Sequence, residues 1–421
     1  MNHFKRIVVT PHCSLETGRM KEMLTTFARQ HGFLVHEDEA GNLLCQKGNP
    51  TLCLQSHYDM VCMGDAPTIE LVEKDGWLKA KNSSLGADNG MGMAIMMAMM
   101  ERHENLECLF TNDEEVGLIG ANNLTLQIHS SRLLNLDSEE ENGVFIGCAG
   151  GVDIFGTMAL EWENIPEGWG IYEMIVDNLP GGHSGVDIAK NIPSALKILG
   201  SALVENECVL LELEGGERNN SIPKRARALV ASKNVTCKDE RVKVMSLETN
   251  HRKYLAKSGK IIHMINAFAQ GVRSFDTSLN IPRESINLSM IRQHDAYIEV
   301  EFFARAMQQA GIDRLKSETY SLLSVFDFEV RYDNECAPWQ PNEGAFARQV
   351  ADVARDIWGE VRFMAIHAGL ECGVIVEKQD HPVEVCSIGP CIEFPHSVRE
   401  RCELASIERV THIVDRLLQE R

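Results

Sequence analysis

Apolar positions first fall at helical spacing over residues 16–31, where Met20, Met23, Leu24 and Phe27 share a face and Gly32 stands where a helix would stop. Three short strands follow at 33–37, 42–46 and 51–55, parted by turn residues. The last of them, Leu52-Cys53-Leu54, ends abruptly on Ser56-His57-Tyr58-Asp59. Residues 90–102 read as a helix, and 107–111 as a buried strand running into acids. Residues 133–136 repeat that pattern and end on Asp137. Three times an apolar strand delivers the chain to a polar residue at its carboxyl end, the edge at which open α/β sheets bind ligands.

A different texture begins near residue 153. Residues 172–176 alternate like a strand with one wet face, a helix is expected over 193–204, and strands follow at 208–213 and 226–231. A second set comprises strands at 285–290 and 297–303, a helix over 313–323 and a strand at 327–332. Two sets of strands with a packing helix predict an α+β domain of its own. The α/β texture returns after Pro338, with a helix over 344–358 and a strand at 383–387. The expected organisation is therefore one α/β domain built from 1–152 and 336–421, interrupted by a second domain at 153–335.

With 421 residues, two domains also suit the length. No stretch has the length and apolar purity of a membrane span; the most apolar run, 91–100, is about one buried helix long. Thirteen scattered cysteines, odd in number and without zinc-ribbon or redox spacing, predict reduced thiols in a cytoplasm, most of them packed in cores. A net charge of −20 argues against a nucleic-acid partner. Acidity by itself implies only solubility, but some carboxylates stand where cation ligands would.

Read alone, His57-x-Asp59 is a solvated loop or a metal-binding histidine with an orienting carboxylate, since i and i+2 point the same way on an extended segment. Asp88, within Gly86-Ala87-Asp88-Asn89-Gly90, is either an N-cap or a carboxylate that bridges two cations where glycines let the backbone approach. Asp113-Glu114-Glu115 repel one another unless something positive lies near. Together, His57, Asp88, Glu115, Asp137 and His396 make two imidazoles and three carboxylates, a ligand set suited to paired zinc, cobalt or manganese, with Asp88 shared. Glu114 is then the general base toward the attacking water. Glu114 and Glu115 as the acid pair of a carbohydrate enzyme rank last, because neighbours on one strand end rarely face each other across a substrate.

Eight segments in order resemble the di-zinc peptidases that include the aminoacyl-histidine (Xaa-His) dipeptidases, carnosinases and acylases. They are His57-Tyr58-Asp59-Met60-Val61, Leu85-Gly86-Ala87-Asp88-Asn89-Gly90, Asp137-Ser138-Glu139-Glu140, Gly147-Cys148-Ala149-Gly150-Gly151, Gly181-Gly182-His183-Ser184-Gly185, Trp339-Gln340-Pro341, His367-Ala368-Gly369-Leu370-Glu371-Cys372-Gly373 and Ser387-Ile388-Gly389-Pro390. The resemblance implies a mixed-sheet catalytic domain interrupted by an α+β lid, and two divalent ions per chain, Zn2+ foremost with Co2+ or Mn2+ as substitutes. It implies metal ligands at His57, Asp88, Glu115, Asp137 and His396, with Asp59 orienting His57 and Glu114 as base. His183 matches a lid histidine that reaches a substrate carbonyl, often across a dimer, and Arg305 stands where a lid arginine pairs with the substrate carboxylate. Asn220 and Glu371 are weaker candidates for substrate contact. The implied activity is metal-dependent hydrolysis of dipeptides by a cytoplasmic, homodimeric enzyme with no membrane or nucleic-acid partner. The alternatives are an N-acyl amino acid amidohydrolase of the same fold and a binding relative that has lost catalysis. Asn219-Asn220-Ser221-Ile222-Pro223 follows the family's Arg-Asn-Ala-Ile-Pro pattern only in part, and the chain is shorter than typical Xaa-His dipeptidases; both bear on substrate preference.

Overall fold

The short apolar strands of the N-terminal part meet in one eight-stranded sheet. In the computed structural model, which describes residues 1–419, its order is Leu34–Glu37, Leu43–Lys47, Leu106–Thr111, Cys53–His57, Arg132–Asn135, Glu384–Ser387, Gly143–Cys148, Arg362–Ile366. The central four of these run parallel to one another. Their buried, nearly continuous apolar character is what a parallel strand covered on both faces requires. Parallel pairing sends all four carboxyl ends the same way, so His57, the segment after Thr111 and the segment after Asn135 emerge at one edge.

The methionine-rich run forms the helix Ala87–Arg102, buried almost all round, with Met91, Met93, Met96, Met97 and Met99 inside the core. Asp88 and Asn89 at its start lie outside helical backbone angles, and Gly86 before them has φ +67°, a left-handed conformation suited to glycine. Gly92 is equally constrained: a Cβ there would stand 1.9 Å from Asn89 Oδ1 and 2.8 Å from Ser56 Oγ. The missing side chain lets the helix press against the strand end that carries His57. Two amphipathic helices, Ala345–Trp358 and Leu404–Gln419, bury their apolar faces in the same core. Among the described residues no helix is long and apolar enough to cross a membrane.

Contacts divide the chain into two compact units, 1–148 with 339–365 and 370–421, and 149–338 with 366–369. The first join falls earlier than residue 153 because Gly150–Ala159 is a strand of the second unit, paired along its length with Tyr297–Ala306. The other falls later than 335 because Trp339 hydrogen-bonds back to Cys148. The second unit is a nine-stranded sheet whose neighbours pair antiparallel. The helices Ala195–Val204, Ser258–Ala267 and Gln309–Val325 contribute to its separate apolar core.

The cysteines bring one correction. Cys45, Cys53, Cys108, Cys372, Cys386 and Cys402 are buried thiols, as small hydrophobes in a core should be. Cys13 and Cys62, however, form a disulfide, their Cα atoms 5.5 Å apart. Cys13 bridges to Met60, which brings the two sulfurs together although 49 residues separate them in sequence. Spacing in the sequence carries no trace of that proximity.

Candidate metal centre

At the sheet edge of the first unit, ligand atoms of His57, Asp88 and Asp137 lie within 4.8 Å of one another, and so do those of Asp88, Glu115 and His396. The two groups share Asp88, one carboxyl oxygen facing each. His57 Nε2 is 3.1 Å from Asp88 Oδ1 and 3.3 Å from Asp137 Oδ1. His396 Nε2 is 3.0 Å from Asp88 Oδ2 and 2.9 Å from Glu115 Oε1. A third group joins His57, Glu114 and Glu115.

His57 and Asp137, two of the candidate ligands, are each held by a neighbouring side chain. His57 turns Nδ1 toward Asp59, 3.3 Å from Oδ1 and 3.0 Å from the backbone oxygen, which leaves Nε2 for the centre. Asp59, fully buried, also accepts the backbone N–H of Glu114 at 2.9 Å and of Glu115 at 3.3 Å. It therefore fixes the acidic turn as well as the histidine ring. Ser14 donates to its other oxygen at 2.8 Å. Asp137 accepts from the Asn89 side chain, which also donates to the backbone oxygen of Leu136.

The electrostatics ask for positive charge. Burial alone would push the His57 pKa down, yet Asp137, Asp59 and Asp88 hold it well above the usual value. His396, its side chain 45% exposed, is pushed up to about 12 against its partial removal from water, by Asp88 and Glu115. Asp88, buried between the two imidazoles, is pulled well below the carboxylate range. The other acids move the opposite way. Glu115 rises to about 7 through burial and Asp88, and Asp137 rises for the same two reasons. Glu114 is pushed well up by burial, against the pull of His57 and with Glu115, Asp137 and Glu371 adding to the rise. Two imidazoles cannot neutralise so many buried carboxylates. Imidazole nitrogen and carboxylate oxygen together are the donor set of zinc, cobalt and manganese, so these residues could hold a pair of divalent cations, Asp88 being common to two of the groups.

Glu371, buried at the start of the helix Glu371–Glu377, belongs to this neighbourhood. Gln55 and Thr111 each donate to its Oε2 at 2.6 Å, while Oε1 is buried with no partner among the described residues. Burial first, then Asp137, lifts its pKa to about 7. Reading the sequence alone missed Glu139, whose carboxyl is raised by removal from water and by Asp88, Asp137 and Glu115. It also missed Ser14 and Glu400. Glu139 stood in a quoted segment beside Asp137, whereas nothing marks a serine 45 residues from its partner.

The remaining candidates lie in the second unit. His183, on the short strand Gly182–His183, accepts the N–H groups of Gly185 and Val186 at Nδ1, 3.1 and 3.2 Å away. An accepting Nδ1 puts the proton of the neutral ring on Nε2, making that nitrogen a donor. Arg305 is buried at 6% exposure, opposite Ser285 in the sheet, with its guanidinium 4.2 Å from the Phe303 ring centre. His367 nearby pairs with Ser285 Oγ at 2.7 Å; burial, Arg305 and His183 hold its pKa near 3, so it is neutral. Asn220 is exposed, and its backbone oxygen accepts the N–H of Ser184, the residue after His183.

The ends of the parallel strands, the start of the helix Ala87–Arg102 and the turn at His396 together gather two histidines and several carboxylates, an arrangement suited to a metal-dependent hydrolase. The chain belongs to peptidase family M20/M25/M40, whose model matches residues 53–420, and is accordingly a peptide-bond hydrolase. It is 29% identical over 471 aligned residues to the cytosol non-specific dipeptidase of Escherichia coli K12, covering 99% of this chain and 96% of that one. Its fold matches the aminoacylhistidine dipeptidase of Vibrio alginolyticus with a TM-score of 0.79 at 27% identity, over 99% of this chain and 95% of the other. A tripeptidase from Staphylococcus aureus shares the fold at a TM-score of 0.60 and 16% identity, over 100% and 98% of the two chains.

Proposed function

We propose that the protein is a metallodipeptidase, similar to the Xaa-His dipeptidases and broader in what it accepts, working with two divalent ions, Zn2+ foremost. The observation that carries this is the pair of ligand groups sharing Asp88, with Glu114 beside both His57 and Glu115. His57 and Asp137 would hold one ion, Glu115 and His396 the other. When bound, the ions polarise the scissile carbonyl and make water a better nucleophile. Asp59 keeps the His57 ring and the Glu114 backbone in place. Glu114 takes a proton from the attacking water and delivers it to the leaving amine. Its raised pKa leaves it able to hold that proton between the two steps.

His183 donates from Nε2 to the carbonyl oxygen as negative charge develops there. Arg305 binds the substrate's terminal carboxylate. Glu371 Oε1, buried and acidic, is the acceptor for the substrate ammonium group, which separates a dipeptidase from an amidohydrolase acting on blocked amino acids. Asn220, whose backbone oxygen accepts the N–H of Ser184, contacts substrate from beside the His183 strand. We place the enzyme in the cytoplasm, the compartment named for its Escherichia coli relative, and expect a homodimer.

The test is the metal content of the purified protein together with hydrolysis of a Xaa-His dipeptide, an ordinary dipeptide, a tripeptide and an N-acetyl amino acid. About two ions per chain and dipeptide cleavage abolished by a chelator are expected. Cleavage of the blocked amino acid alone would make it an amidohydrolase instead. Sedimentation measures the dimer.

A further inference from the structure

Glu400 is 2% exposed and makes no ion pair with a basic side chain among the described residues. Its carboxylate lies in a ring of consecutive backbone donors instead. Oε2 accepts the N–H of Leu85 at 2.7 Å and of Gly86 at 3.1 Å; Oε1 accepts that of Ala87 at 2.7 Å and of Asp88 at 3.3 Å. Such a row of amides is an anion nest, and the left-handed Gly86 turns it to face one point. The last donor belongs to Asp88, the residue shared by both ligand groups.

At the other end, Glu400 closes the short turn that carries His396. Its N–H reaches Ser397 O at 3.1 Å, and Ser397 Oγ in turn donates to Phe394 O at 2.7 Å. His396 itself has a left-handed backbone, φ 55°, which a loose turn would not hold in place. The two segments are more than 300 residues apart in sequence, yet one side chain ties them together.

We propose that Glu400 is a positioning residue for the metal centre, tying the Asp88 loop to the His396 turn so that both place their ligand atoms on the same ion. The inference rests on the reading of Asp88 and His396 as ligands. A helix cap would need only one or two of these four donors, whereas a rivet between ligand-bearing segments needs the whole nest filled. The carboxylate also sets a further negative charge behind Asp88, which favours a cation in front of it. Glutamine has the same shape but offers an NH2 group to at least one backbone donor that requires an acceptor.

The experiment compares wild type with Glu400→Gln, both stripped of metal and titrated with Co(II). Visible absorption and calorimetry report binding, and thermal unfolding of the metal-free proteins is followed in parallel. Wild type should take up about two Co(II) per chain. In the variant, the ion held by His396, Glu115 and Asp88 should weaken by about 10–100-fold and its absorption band should shift, while the ion at His57 and Asp137 changes much less. Wild-type affinity and spectrum at both sites, with only a lower unfolding temperature, would reduce Glu400 to a structural staple. Absence of Co(II) binding by wild type would overturn the metal reading itself, a different result. If Glu400→Gln does not fold, Glu400→Asp, which keeps the charge but withdraws it by one methylene, is read the same way: selective weakening supports the proposal and unchanged binding at both sites overturns it.

Discussion

In the first unit Asp88, Glu115 and Asp137 lie within a few ångströms of one another, paired among the described residues with the imidazoles of His57 and His396 and with no lysine or arginine. In the second unit the functional candidates stand outside every group of side chains able to hold an ion among the described residues. Backbone amides fix the tautomer of His183, and an aromatic face lies against Arg305. The first arrangement favours bound cations, because its carboxylates outnumber the two imidazoles placed among them. Among the described residues, no group able to hold an ion includes a residue of the second unit.

Removing the cations should therefore have the largest effect, and should reach stability as well as rate. Asp88→Ala deletes the residue common to both ligand groups, and activity should fall by roughly 10³-fold or more. Elemental analysis should find neither site filled at wild-type affinity, and added Zn2+ should raise the unfolding temperature of wild type far more than that of the variant. Equal stabilisation of both proteins by zinc would mean that the ion binds elsewhere.

Glu114→Gln should cost about 10²–10⁴-fold in kcat, with metal content within error of wild type. Loss of an ion alongside the rate would make Glu114 a ligand, as its place in the third group with His57 and Glu115 allows. His183→Ala should lower kcat/KM by about 10²–10³-fold while unfolding temperature and metal content stay near wild type. That outcome would set the candidates of the second unit apart from the candidate ligands of the first, as groups that serve turnover rather than ion binding. Arg305→Lys should act chiefly through KM, since a point charge replaces a planar, two-pronged donor.

How much of this could be read from the sequence divides along the same line. The strands ending on His57, Thr111 and Asn135 were visible because parallel, doubly covered strands are short continuous apolar runs, and their polar endings stand out. The candidate ligands were visible as a set, and the structure brings them together in groups that could hold an ion, though none was decisive alone. Residues that reach the candidate site only through backbone amides or through another carboxylate were not. Glu400 and Ser14 are ordinary residues until folding brings them to Asp88 and Asp59. The helix Leu404–Gln419 also went unread, although its apolar face has a clear helical period. Joins between the units were displaced by a few residues because Gly150-Gly151, which looks like a break, begins a strand buried from its first residue.

A smaller and opposite test lies in the second unit. Glu301, on the strand Tyr297–Ala306, is 8% exposed, and burial followed by Asp153 and Glu299 raises its pKa to about 7, with Arg292 and Arg331 pulling the other way. It resembles the acids of the metal centre in its shift but belongs to none of the groups able to hold an ion. For an acid whose folded pKa is raised, the folded state binds the proton more tightly. The penalty is absent below the unfolded value of 4.5 and complete above about 7, so stability falls as pH rises through that window. Glu301→Gln should therefore leave the unfolding temperature unchanged near pH 4 and raise stability at pH 8 by about 1 kcal/mol, once solvent screening is allowed for. Zn2+ should not alter that gain, because among the described residues Glu301 belongs to no group of side chains able to hold an ion. A gain that vanished on adding zinc would show that the second unit also senses the ions, and the division of labour between the two would have to be abandoned.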